Sequence, residues 1–196
     1  MVSAVRDHDR LGFAGSAPFI GTVGWLIVAA GAALGIVRFV NGSPVERGFE
    51  GALGAASLGA LIAAPGVLAL LALRDRPVLL LPAGVALVPL AFLSLAGVTL
   101  PLLVPAAMLF VAYGRRSTDA SDRPLVAFTT TVFVFAGLVL AGVVLFVRQD
   151  PRSYVTENGG GSTSDVITVV EALLSLTTAA ATIAGGWLLA RRNLRQ

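Results

Sequence analysis

The feature that most constrains this chain is a succession of apolar stretches of about 20 residues, each free of interior charge or nearly so and each bounded by polar residues and Arg. A soluble fold has no use for several such stretches, whereas a bilayer with a hydrocarbon core of about 30 Å needs that length of helix to cross it. Charged residues make up 13% of the 196, against roughly 25% in an ordinary soluble domain. They cluster between the apolar runs, and the mean hydropathy is +0.87. The expected fold is all-α: a polytopic integral membrane helix bundle, with no room left for a separate soluble domain.

The domain plan follows from the same pattern. Residues 1–17 read as a cytoplasmic N-terminal tail, 18–190 as a transmembrane domain of six helices, and 191–196 as a cytoplasmic C-terminal tail. The first span, Pro18 to Val40, has an apolar core longer than the 7–15 residues of a signal peptide, so it is expected to be retained. Ser43-Pro44-Val45-Glu46 has the form of a capping box with Pro at the first helical position, which predicts a second helix from Pro44 to about Leu73, kinked at Pro65. Arg74-Asp75-Arg76 then makes a tight charged turn.

The uncharged stretch from Pro77 to Tyr113 is the awkward one. As a single helix it would measure about 55 Å, so it must break. Gly97-Val98-Thr99-Leu100-Pro101 is the expected place, because Thr99 can cap and Pro101 suits a first turn. The result is a Pro-broken pair of spans, the second only 13–15 residues long, or a re-entrant hairpin. A fifth span from Pro124 to Val147 leads into a loop, Arg148 to Ser164, with Asn158-Gly159-Gly160-Gly161-Ser162 as a flexible tip. Ser164 or Asp165 would cap a sixth helix running to about Ala190.

All fourteen basic residues are Arg, and their distribution sets the orientation. With six crossings and the N-terminus inside, ten are cytoplasmic: Arg6, Arg10, Arg74, Arg76, Arg115, Arg116, Arg123, Arg191, Arg192 and Arg195. Four lie outside: Arg38, Arg47, Arg148 and Arg152. A single crossing over Pro77–Tyr113 would give six against eight, which disfavours it. A re-entrant hairpin gives the same count as two crossings. The absence of Lys and the wealth of Ala, Gly, Val and Leu fit a G+C-rich coding bias, as in actinobacteria or some archaea, and place the chain in a prokaryotic cell membrane with both termini cytoplasmic.

Several functions are excluded by composition. There is no Cys, so no disulfide, thiolate metal site or thiol nucleophile exists, and the single His, His8, lies in the N-terminal tail. No cofactor is expected. A pI of about 10.5 is common in nucleic-acid-binding chains, but the net charge is only +3 and the Arg residues flank apolar segments, where membrane topology puts them. No nucleotide-binding, protease or metalloprotease motif is present.

The residues that break the apolar pattern are the candidate site. Thr168, Glu171, Ser175, Thr178 and Thr182 follow helical spacing and share one face of the sixth helix, with Glu171 read as about two turns below its outer end. A carboxylate at that depth should face protein or water, and Arg38 or Arg148 is its expected partner. The stripe is either a packing seam or the wall of a proton or cation site. Small residues recur at helix-packing spacing as well: Gly31 and Gly35; Gly51, Ala55, Gly59 and Ala63; Gly137 and Ala141; Gly185 and Gly186. The sequence thus points to a membrane subunit or scaffold without catalytic activity, which contacts lipid, further copies of itself or other membrane subunits. The rival is a small-solute or ion transporter built on the Glu171 stripe.

Overall fold

The computed structural model describes residues 13–41, 48–74, 77–92, 100–117, 124–146, 150–156 and 159–192. Six α-helices run in the order α1 (Ala17–Asn41), α2 (Phe49–Ala72), α3 (Leu80–Phe92), α4 (Leu103–Ser117), α5 (Pro124–Phe146) and α6 (Val169–Arg192). Between α5 and α6 lies an antiparallel β-hairpin, β1 (Asp150–Thr156) and β2 (Gly159–Val166). Four of the helices, α1, α2, α5 and α6, are long and apolar enough to cross a membrane, and α2 is the most enclosed of them.

Prolines set several of the boundaries. Pro124 opens α5 and Pro105 falls in the first turn of α4, positions where a missing N–H costs nothing. Pro77 begins, and Pro101 is the second residue of, the short 3-10 turns Pro77–Leu79 and Leu100–Leu102 that lead into α3 and α4. Pro65 and Pro89 lie inside α2 and α3, where each removes a backbone hydrogen bond without ending its helix.

The Pro77–Tyr113 stretch does form two helices, as its length demands. The first is described as far as Phe92, and residues 93–99, which include Gly97 to Thr99 of the expected break, lie outside the described residues. With their leading turns, α3 and α4 reach roughly 26 Å and 28 Å. They pack on one another, with Gly84 of α3 against the Phe110 ring of α4. At the other end of α4, Arg116 Nε donates to the Gly15 carbonyl at 2.9 Å. The start of α1 and the end of α4 therefore lie at the same end of the bundle. Gly15 belongs to a short turn, Phe13–Gly15, in a segment expected to be loose tail.

Three other expectations are corrected. The second helix begins at Phe49, not Pro44: Gly48 is its N-cap, with an extended ψ of −172°, so no helix runs through from Pro44. Ser43 to Glu46 themselves lie outside the described residues. The segment expected as a flexible loop pairs as a hairpin, Arg152 opposite Thr163 and Tyr154 opposite Gly161, with an irregularity between Asp150 and Arg152 at Pro151, which lacks the N–H a regular ladder needs. Because β2 runs to Val166, α6 starts at Val169 rather than after Ser164 or Asp165.

Two seams hold the bundle together. In a membrane, apolar burial gains little over lipid contact, so closeness of approach decides which helices associate. Gly31, Gly35 and Gly59 let α1 and α2 touch backbone to backbone. A Cβ on Gly31 would stand 2.5 Å from the Gly59 carbonyl, and one on Gly59 2.9 Å from the Gly31 carbonyl. The seam extends to Gly66, which faces the Gly24 carbonyl. The α5–α6 seam is built from Gly137 against Thr182, Gly185 against Phe133 and Gly186 against Val134. Thus the small-residue pairs are used within the chain. Between the seams, Leu61 and Leu68 of α2, Leu80 and Leu87 of α3, Leu109 of α4 and Val134 of α5 form a common buried core.

Candidate functional site

The N-terminal end of α6 is organised by its own first turn. Thr168 is the N-cap: its carbonyl accepts from Ala172 N–H at 3.0 Å. Its hydroxyl accepts from Glu171 N–H at 3.4 Å, and the Glu171 carboxylate reaches back to accept from Thr168 N–H at 2.9 Å. These reciprocal bonds are a capping box, Thr-x-x-Glu, which answers two N–H groups that a helix start leaves unpaired. Glu171 therefore sits in the first turn of α6 and not two turns below it. The error in depth follows directly from the later start of the helix.

Glu171 is 7% exposed, yet its charge is well placed, since the positive end of the helix dipole favours an anion in the first turn. Arg38 is half-buried near the end of α1, a helix that packs on α2 and makes no substantial contact with α6. Arg148 lies outside the described residues. The structure thus gives Glu171 a partner on its own helix that the sequence reading did not weigh.

Below the cap, the remaining stripe residues face protein. Ser175 and Thr182 are buried and Thr178 is half-buried. The Thr182 hydroxyl donates to the Thr178 carbonyl at 2.7 Å while the same side chain fills the space opposite Gly137. At the N-terminal end of α6 the contact is with α2. Ile167 packs over Gly54, and the Ser57 hydroxyl lies 2.8 Å from the Leu53 carbonyl and 3.2 Å from the Ala172 carbonyl. Ser57 is the one described hydroxyl that bridges α2 to α6. Its hint in the sequence was its place beside the Gly51–Ala55–Gly59–Ala63 ridge, though only its packing identifies the partner.

Thr130 of α5 was not singled out in the sequence either. It is fully buried, and its hydroxyl is the one buried side-chain polar atom among the described residues with no hydrogen-bond partner. Its neighbours Thr129 and Thr131 donate to the carbonyls of Leu125 and Ala127. Nothing in the Thr129-Thr130-Thr131 run distinguishes the middle residue in advance.

Two apolar grooves stand out among the described residues. One, of about 480 Å³, runs along the α1–α2 pair: Ala52, Ala56, Ala60 and Ala63 of α2 lie along it, and Val28, Ile36 and Phe39 of α1 rise beside them. The other, of about 400 Å³, lies between the C-terminal half of α3 and α5, with Leu61 among its lining residues. Neither includes Glu171 or any residue of its stripe. Compared with models of known protein families, with curated proteins and with solved structures, the chain matches none. The functional reading consequently rests on these surfaces and seams.

Proposed function

We propose that this chain is a non-catalytic subunit or scaffold of a prokaryotic cell membrane, crossing six times with both termini cytoplasmic and acting through helix–helix contacts. The observation that carries the reading is the groove along α1 and α2. Its Ala floor lets another backbone come close, as small residues do at transmembrane helix interfaces, and Ala52 and Ala56 are exposed among the described residues. Gly35, Gly59 and Ala63 in the same groove belong to the α1–α2 seam, and Ala52 and Ala56 beside them are left exposed.

The topology is supported by two independent features. Ten of fourteen Arg residues fall inside in the six-crossing arrangement. The Arg116–Gly15 bond also brings the chain back, after α4, to the end of the bundle where α1 began, as an even number of crossings requires. With their leading turns, α3 and α4 come close to the hydrocarbon thickness, which favours two crossings over a re-entrant hairpin.

The absence of Cys makes the test clean. Ala56→Cys places one thiol on the groove floor, and Leu140→Cys places one on an exposed face of α5. Each is labelled with a benzophenone maleimide and irradiated in native membranes. The proposal expects an adduct of discrete size from the Ala56 position and none from the Leu140 position. No discrete adduct, or the same adducts from both, overturns it.

A further inference from the structure

We draw no further inference here: the strongest candidate, the apolar groove of about 400 Å³ between α3 and α5 with Leu61 and Leu138 among its lining residues and Gly142 at its wall, carries nothing because no feature of the structure shows what covers it.

Discussion

Gly31→Ala puts the α1–α2 seam to a quantitative test. The new Cβ would lie 2.5 Å from the Gly59 carbonyl oxygen, 2.8 Å from the Ala63 nitrogen and 2.9 Å from the Ala63 Cβ. Ordinary contact begins at 3.4 Å, so α1 must retreat by about 0.9 Å to clear the carbonyl. Two of the three obstacles are backbone atoms, which have no rotamer to change. Overpacking costs typically 1–3 kcal/mol, and a rigid obstacle of this kind belongs at the upper end, about 3 kcal/mol or roughly a hundredfold in the unfolding equilibrium. Gly21→Ala and Gly142→Ala are matched controls. Their added Cβ atoms would meet only Leu73 Cδ1 and Leu61 Cδ2, each at 3.6 Å, so the better helix propensity of Ala should leave them neutral or up to about 1 kcal/mol more stable. Unfolding in mixed micelles by added dodecyl sulfate, followed by far-UV circular dichroism, measures all three. Adding Ala63→Gly to Gly31→Ala removes one obstacle and should recover part of the loss. If Gly31→Ala unfolds at the same detergent fraction as Gly142→Ala, the backbone-contact argument for this seam is wrong.

Three further outcomes are expected. Thr130→Val replaces an unpartnered buried hydroxyl with a methyl of similar shape and should raise stability by about 1 kcal/mol in the same unfolding assay; a loss would mean that the hydroxyl has a partner. Thr168→Ala removes the side chain that caps α6 and should cost about 1 kcal/mol, whereas Glu171→Gln keeps an oxygen able to accept from Thr168 N–H and should cost less; the reverse order would show that the charge of Glu171, not its capping geometry, holds that end. Reporters fused after Gln196 and inserted within Glu157–Ser162 should be active on opposite sides of the membrane, the first in the cytoplasm, and an externally active reporter at Gln196 would remove the six-crossing arrangement.

What the sequence made legible follows the strength of the physical constraint. Helices α1 and α5 begin and end within a residue of where the apolar runs begin and end, because a long uncharged run in a membrane admits only one backbone conformation. The division of Pro77–Tyr113 was forced by length alone. Boundaries set by local chemistry were harder. Ser43-Pro44-Val45-Glu46 carries a better capping pattern than Gly48, yet Gly48 caps α2 with no side-chain bond at all. At α6, two plausible caps, Ser164 and Asp165, precede the true one, and the choice was decided by strand pairing that the Gly-rich composition of residues 159–161 conceals. The stripe was visible from its 3, 4, 3, 4 spacing, but what it faces was not. Spacing places residues on one side of a helix; it does not say that Gly54, Ser57 and Gly137 of other helices supply the opposing surface.

The polar residues of α6 carry one more consequence for function. An ion or proton site needs groups whose bonding capacity is left for the ligand. Here the Glu171 carboxylate bonds its own helix start, the Thr182 hydroxyl bonds the Thr178 carbonyl, and Ser57 lies between two carbonyls, so much of that capacity is already spent on backbone. Such bonds are what a helix end and a close helix crossing need in a medium without water. By contrast, Ala52 and Ala56 on the floor of the α1–α2 groove are exposed, while the seam beside them is closed by Gly31, Gly35, Gly59 and Ala63. On the proposed subunit reading, those exposed Ala residues are where another transmembrane helix would approach. This contrast between polar residues engaged inside and small residues unengaged outside is why the subunit reading stands ahead of transport.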